Sequence, residues 1–529
     1  MHQVLQITEI IELILGYTSP LTTAACARVC RAWSEPAFDR IWCHVPRVDA
    51  IFKLLGPMER NKEAQYCFTQ PHISPERWDR FFFYSNRIRH IEYVNHLNDN
   101  HIIHPNSLAT VAISRPSLHL LPKLTHITWR NYTAMPPTGL MLTVLFMSLS
   151  LQSVAVYSPW YSHDRMFPDR EFFRHIVARS PHIRHLSLIT ENQTHPELNS
   201  ALTKSIGALH DLRSVSLSDT YLTTGVLEAL STCPHLKVIS HVESKEYTHN
   251  ISLPVLQNGA FPNFKEIHLR VPLVSMINWL QPPFPAACLQ RLSITTNDAS
   301  HTIISGFLET VGNCCCNLQS LELNVRQVES DIKEPLSFAV LNPLLTCKSL
   351  ASLSIITPLL LDLDNSHVAL MASNWSQLRK LHLAPQPWPY FCSHPIRLTL
   401  EVLPILSRLR PEIEHLGLYI HPTIPTDPHK PLPNLQKLAL GLKTIHYNLD
   451  DFAFFLTEAT PLTCTLVVDH SSSWTSLYPP VIENVMRSYV SYLEAGFSRV
   501  KMMRKVAGLY RDRIDTLRRE IQRLTTSFH

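Results

Sequence analysis

The stretch Cys314-Cys315-Cys316-Asn317-Leu318-Gln319-Ser320-Leu321-Glu322-Leu323 decides how the rest of the chain is read. Leu318, Leu321 and Leu323 stand at positions one, four and six of a unit, and a small residue, Cys315, stands three places ahead of the first. In an extended segment alternate side chains share a face, so Leu321 and Leu323 point one way while Ser320 and Glu322 point the other. The same spacing recurs along most of the sequence, with Ile, Val or Phe replacing Leu. Upstream copies are Leu124/Ile127/Trp129, Leu151/Val154/Val156, Ile183/Leu186/Leu188, Leu212/Val215/Leu217, Phe264/Ile267/Leu269 and Leu289/Leu292/Ile294. Downstream copies are Leu350/Leu353/Ile355, Leu378/Leu381/Leu383, Ile413/Leu416/Leu418 and Leu435/Leu438/Leu440. Weaker ones sit at Ile88/Ile91/Tyr93, at Leu236/Ile239 and near Leu466/Val468.

A fixed period sets the architecture before any single motif does. Twelve steps carry the series over the 347 residues from Ile88 to Leu435, a mean of about 29, with single steps of 22 to 36. The lower part of this range matches the leucine-rich-repeat period, and the longer steps imply loop insertions. Leu121, Ser180, Cys233, Cys315, Cys347 and Leu432 recur three places before the first anchor, and Ala229-Leu-Ser-Thr-Cys-Pro-His-Leu236 reads as a helix ending just ahead of a strand. The expected fold class is α/β: a curved solenoid over residues 88–479 with a parallel sheet. One repeat cannot bury its own apolar face, so neighbours stack and stability becomes a sum of nearest-neighbour interfaces. Each buried Leu or Ile should contribute about 1.5–3 kcal/mol. The cysteines of this pattern read as small buried apolar residues rather than ligands or nucleophiles.

The outward positions of successive copies are His126/Thr128, His185/Ser187, Ser214/Ser216, Glu266/His268, Arg291/Ser293, Ser320/Glu322, Ser352/Ser354, Lys380/His382 and His415/Gly417. This face is polar, rich in histidine and of mixed sign, which suits a protein partner better than phosphates, since those call for clustered Arg and Lys. Candidate partner-binding residues are therefore His126, His185, Glu266, His268, Arg291, Glu322, Lys380, His382 and His415. The plain alternative is a solvated sheet face with binding left to loops.

Residues 5–45 follow a different rule. Ile10, Leu13 and Ile14 share one helical face, with Thr8 as the expected N-cap and Gly16 as the stop near Pro20. A second helix is expected after Thr22 or Thr23, carrying Ala25, Val29 and Trp33 at four-residue spacing. About 40 residues cannot hide so much apolar surface, a sign of partner binding. Residues 46–87 read as a linker and N-terminal cap, with Arg77-Trp78-Asp79-Arg80-Phe81-Phe82-Phe83-Tyr84 as a helix over the first strand.

The residues Leu5, Glu9-Ile10-Ile11, Ile14, Pro20-Leu21, Ala27-Arg28-Val29-Cys30-Arg31-Ala32-Trp33 and Ile41-Trp42 resemble the F-box, and the Val-Cys-x-x-Trp element is its most specific part. With the Cys-Pro-x-Leu-x-x-Leu-x-Leu grammar downstream, the chain resembles the F-box leucine-rich-repeat proteins. That resemblance implies a non-catalytic substrate receptor of a cullin–RING (SCF-type) ubiquitin ligase, docked on a Skp-type adaptor and thereby on a cullin. It implies adaptor contacts from Leu5, Ile7, Ile10, Ile11, Leu13, Ile14, Pro20, Leu21, Val29, Cys30 and Trp33. Gln6, Thr18 and Thr23 depart from the usual pattern, which bears on adaptor affinity. The alternative is a repeat scaffold that has lost adaptor binding and tethers partners.

After Tyr478-Pro479-Pro480 the repeat grammar stops. Apolar residues at Ile482, Met486, Tyr489, Leu493, Val500, Met503, Ala507, Tyr510, Ile514, Leu517, Ile521 and Leu524 alternate in steps of three and four, a coiled-coil pattern with one gap. This long basic helix over 480–529 is expected to cap the last repeat or to self-associate; membrane docking ranks behind both.

Composition narrows the remaining classes. Hydrophobic residues make up 45% of the 529 and charged residues 17%, the balance of a folded chain, and a formal charge of +4 is too small to drive non-specific nucleic-acid binding. With 12 glycines there is no Walker loop or Gly-x-Gly-x-x-Gly, and neither a Gly-x-Ser-x-Gly elbow nor a His-Glu-x-x-His helix occurs. Neither Cys26/Cys30 nor His101/His104 has a second ligand pair, so no metal or cofactor is expected. The N-terminus has no secretory pattern and the cysteines make a poor disulfide framework, which places the chain in the cytoplasm or nucleus. The uncharged run Thr138–Tyr157 reads as a buried helix entering a buried strand rather than a membrane span.

Overall fold

The computed structural model describes residues 7–62, 65–70, 72–95, 103–131, 143–158, 169–190, 196–242, 251–297, 300–327, 334–385, 394–421, 423–425, 431–442, 455–467, 495–498 and 501–502. The chain divides into two compact units, Met1–Glu266 with Pro283–Pro285, and Ile267–Pro282 with Ala286–His529. Each is built on a parallel sheet in which every copy of the leucine spacing supplies one strand.

The first unit begins with three helices, α1 (Thr8–Gly16), α2 (Pro20–Cys26) and α3 (Arg31–Cys43). The chain leaves α3 directly into strand β1 (His44–Val45), which pairs with β4 (His90–Asn95), so the helical module and the sheet are covalently continuous. Between them lie α4 (Val48–Phe52), an antiparallel hairpin of β2 (Met58–Arg60) and β3 (Tyr66–Phe68), and α5 (Pro75–Ser85). The aromatic run is thus helical, as its spacing predicts, and buries Trp78 and Phe81. Asp49 on α4 is buried and held by Arg47 at 2.9 Å and Lys53 at 2.8 Å. Burial pushes its pKa up, but hydrogen bonds and charge from the two cations outweigh this and leave it below the usual carboxylate range.

The sheet of this unit continues through β5 (His126–Asn131), β6 (Ser153–Ser158), β7 (His185–Thr190), β8 (Ser214–Ser218) and β9 (Val238–Val242), each parallel to the last. Within the uncharged run, Thr143–Phe146 is helical and the strand begins at Ser153; residues 138–142 lie outside the described residues. Strand β10 (Glu266–Arg270) straddles the boundary between the units.

In the second unit β11 (Arg291–Thr296), β12 (Ser320–Val325), β14 (Ser352–Ile356), β16 (Lys380–Leu383), β17 (His415–Ile420), β18 (Lys437–Leu442) and β19 (Thr465–Val467) pair in that order, all parallel. A small parallel pair, β13 (Leu336–Ser337) with β15 (Leu361–Asp362), lies beside them. Register keeps like positions together: Leu321 faces Leu353, Leu353 faces Leu381, and Leu381 faces Leu416. All four are buried, as the inward assignment requires.

The residues three places before the anchors lie in the interior. Leu121, Ser180, Cys233, Cys315, Cys347 and Leu432 are all buried, and Ser180 Oγ donates to Ser148 O at 2.9 Å. Burial lifts the Cys233 thiol to about 11 and raises Cys315 as well, the behaviour of inert core cysteines. Two features escaped the sequence. The weak copy at Leu236/Ile239 carries His241 at its sixth position, and this buried imidazole is bonded to Asp219, whose side chain is also buried. A buried polar ring is tolerated there because a carboxylate satisfies it. The residue just ahead of the anchor also forms a recurring bond: Asn263 donates to Pro234 O at 2.7 Å, Asn317 to Ala287 O at 2.9 Å and Asn434 to Pro411 O at 3.1 Å. Each ties a repeat to the one before it.

Most of the expected C-terminal helix lies outside the described residues. The residues described there, 495–498 and 501–502, are helical; Phe497 is buried and the Lys501 amine reaches the Cys464 carbonyl.

Candidate functional site

The module at the N-terminus is set up differently from its sequence reading. Ile7, not Thr8, is the N-cap of α1. The second helix starts at Pro20 rather than after Thr22 or Thr23, because Ser19 Oγ accepts from Thr22 N at 3.2 Å and Pro20 fills the first turn. Ala25, Val29 and Trp33 do not share one helix: the chain turns through Ala27–Val29, Cys30 is extended, and α3 starts at Arg31. The hydroxyls of the two departures Thr18 and Thr23 lie 2.9 Å apart and within reach of the Leu15 and Ser19 carbonyls respectively, so one hydroxyl donates to the other, which donates to its own carbonyl. They staple α1 to α2.

Among the described residues Ile11, Leu15 and Ala37 form the module's buried hydrophobic cluster, with Cys26, Ala27 and Trp33 packed against it; Pro36 of α3 is buried as well. Ile11 is therefore a core residue and not part of the contact surface assigned to it from sequence, since the packing of α1 on α3 turns it inward. Of the other expected adaptor contacts, Ile7, Leu13, Pro20, Leu21 and Val29 are exposed, while Ile10, Ile14, Cys30 and Trp33 are half-buried. Leu5 lies outside the described residues. The large apolar side chains among the exposed set range from 46% accessible at Ile7 to 86% at Leu21, and Tyr17, outside that set, is 88% accessible. Tyr17 was missed; its place four residues after the exposed Leu13 was the available signal.

The module is fixed to the N-terminal cap. Phe38 on α3 meets Phe83 and Tyr84 on α5 edge-on at 6.1 and 6.0 Å, and Trp42 lies 4.7 Å from Tyr84. The Arg87 guanidinium bonds Glu35 at 2.5 Å and also Asp39, and lies 4.7 Å from the Phe83 ring. Charge and hydrophobic contact thus act across one joint.

On the outward sheet face of the first unit, His44, His90, His126, Ser153, His185 and Ser214 share one row by strand register. The His90 and His126 rings stack at 4.2 Å, and His44 meets His90 at 6.1 Å. Burial lowers the pKa of His90, with further lowering from His126 and His44. Burial also lowers His126, with a further contribution from His185, and His185, with further contributions from Arg213 and Arg184. Glu92 sits between His44 and Arg130, 3.8 Å from each. His126 and His185 were expected here. His44, His90, Glu92 and Arg130 were missed, because a two-residue strand leaves no period to detect and the copy at Ile88 is weak.

The second unit places its candidates on neighbouring strands. Arg291 is exposed on β11, and Ser293 Oγ bonds Glu322 of β12 at 3.4 Å. Lys380 faces His415 by register, and His382 lies so close over Gly417 that a Cβ there would fall inside its ring. Glu266, of the first unit, and His268, of the second, share β10, both half-buried. The first unit therefore presents mainly imidazoles and the second mixed charges.

Among the described residues no group of three or more His, Cys, Asp and Glu is placed to hold a metal ion, and no helix is long and apolar enough to cross a membrane. His104, of the former His-x-x-His pair, caps a helix by accepting from Asn106 N at 3.1 Å. Residues 8–45 match the F-box-like family. No curated protein matches the chain. Among solved structures, the chain is similar to that in a crystal structure of a TLR13–ssRNA13 complex, at 15% identity and a TM-score of 0.28, covering 68% of this chain and 61% of that one.

Proposed function

We propose that this chain is the substrate-receptor subunit of a cullin–RING ubiquitin ligase of the SCF type. The F-box-like module docks a Skp-type adaptor, which links it to a cullin; the repeats hold a protein substrate, and the chain performs no chemistry itself. One observation carries the reading. A module that matches the F-box-like family closes over three fully buried apolar residues and leaves Ile7, Leu13, Tyr17, Leu21 and Val29 in solvent. Apolar side chains concentrated at that density on so small a unit mark a protein interface. The substrate side is the outward sheet face, through His126, His185, Glu266, His268, Arg291, Glu322, Lys380, His382 and His415. Action in the cytoplasm or nucleus fits the described cysteines, which are all free.

Co-purification with a Skp-type adaptor tests this. The native chain is expected to capture the adaptor, and Leu13→Asp combined with Tyr17→Asp to reduce capture by about a hundredfold, the scale of two lost interface anchors. Both positions are exposed, so the circular dichroism of the free chain should not change. Capture that survives the double exchange rejects this docking surface, and a native chain that captures no adaptor rejects the ligase reading.

A further inference from the structure

The residue directly after the first anchor of each copy sits at the N-terminal margin of the sheet. In four successive repeats of the first unit it is Arg184, Arg213, Lys237 and Lys265. The amide of Arg213 donates to Arg184 O at 2.8 Å, that of Lys237 to Arg213 O at 2.8 Å and that of Lys265 to Lys237 O at 2.9 Å, so the four stand in file across adjacent strands. Strand spacing is about 4.8 Å, so the file spans roughly 14 Å, the reach of about four extended residues.

Three of these charges are open. Arg213, Lys237 and Lys265 are exposed, and among the described residues no carboxylate lies within ion-pair distance of any of them. Arg184 is half-buried and bonds Gln152 at 3.3 Å. The nearby Asp211 is engaged by His182 at 2.9 Å. The same position in the second unit carries Gln290, Gln319, Ala351, Arg379, Glu414 and Gln436, and its single cation is closed by the Arg379–Glu414 pair at 2.8 Å. Among the described residues, a file of three exposed cations without a paired carboxylate, flanked by Arg184, is found in the first unit and not at the matching positions of the second.

We propose that this file is the docking track for an acidic segment, four or five residues rich in Asp and Glu, of a protein partner. The assignment rests on the reading that the repeats hold a protein. Charge complementarity selects the occupant, since a file of cations without counter-charges gains most from a run of carboxylates. Single-stranded nucleic acid is the weaker fit. It needs aromatic planes for its bases, and the outward positions beside the file carry no Phe, Tyr or Trp: between His185 at one end and Glu266 and His268 at the other they are Ser or Val.

Fluorescence anisotropy with a labelled hexaglutamate peptide and the full chain tests the proposal, with a labelled oligothymidylate of equal charge as competitor class. The peptide is expected to bind at low salt and to weaken about tenfold or more in the variant R213Q/K237Q/K265Q, or at about 0.5 M salt. Lys237→Glu alone should weaken it less, and Arg379→Gln should leave it unchanged. No peptide binding, or equal binding by the triple variant, overturns the proposal. An oligonucleotide that binds more tightly than the peptide and is released by the triple exchange overturns the choice of partner. Adaptor capture by the triple variant, expected at the native level, keeps failure here distinct from failure of the ligase reading.

Discussion

The N-terminal module and the repeats use apolar residues to opposite ends. In the repeats, anchors one and four are buried in copy after copy, as Leu318/Leu321 and Leu350/Leu353 illustrate. In the module, among the described residues, the buried hydrophobic cluster has three members while five large apolar side chains stand in solvent. A repeat has a neighbour on each side to close its core, so its hydrophobic pattern is satisfied within the chain. Among the described residues the module is closed on one side by the aromatic and Arg87 joint with α5, and five of its large apolar side chains stay in solvent. Pattern strength therefore reports stability in the repeats and, on the function proposed above, recognition in the module.

Three substitutions sharpen or break this contrast. Leu353→Ala, in the middle of the second unit's sheet, should cost about 3 kcal/mol or more, as cavity formation does where neighbours cannot collapse, read as a lowered urea midpoint. A loss below about 1 kcal/mol would mean that the repeats are loosely packed and that the contrast fails. Asp49→Asn, at the junction, should cost about 1–2 kcal/mol at neutral pH, moderated because its cations are half exposed. Its folded pKa lies below the unfolded one, so this stabilisation is present above the usual carboxylate range and fades as pH falls through the folded value. Comparing native and Asp49→Asn stability across pH 7 to about 3 should show the difference shrinking towards acid; a constant difference removes the charge from the explanation. Leu13→Ala should change stability by less than about 0.5 kcal/mol, since the side chain is 63% accessible. A larger loss would place Leu13 in the module's own core and undo the comparison from that side.

Much of the repeat architecture was legible before any coordinates. The copies from Leu124 to Leu435 are strands where the spacing places them, because a period of two fixes which side chains share a face. The weak copy at Leu236 was legible as weak but not as to why: only the packing reveals that His241 is held by Asp219. The module was legible as a whole and misread in detail. The F-box resemblance assigned Ile11 to the contact surface, whereas packing on α3 buries it, and four-residue spacing ran one helix through Cys30, whereas the Ser19 cap and the extended Cys30 set the helix limits.

The sequence alone determined the number and order of the repeats, the inward residues of each, and the presence of a small helical unit with more apolar surface than it can bury. Such properties are local, set by spacing along one strand or one helix. Tertiary structure decided which residues stand side by side: the row His44–His90–His126, the open file Arg184–Arg213–Lys237–Lys265, and the inward turn of Ile11. These neighbours are separated by tens of residues and meet only through strand register and helix packing, so the charge left unopposed on a surface is known only once the partners of every strand are placed.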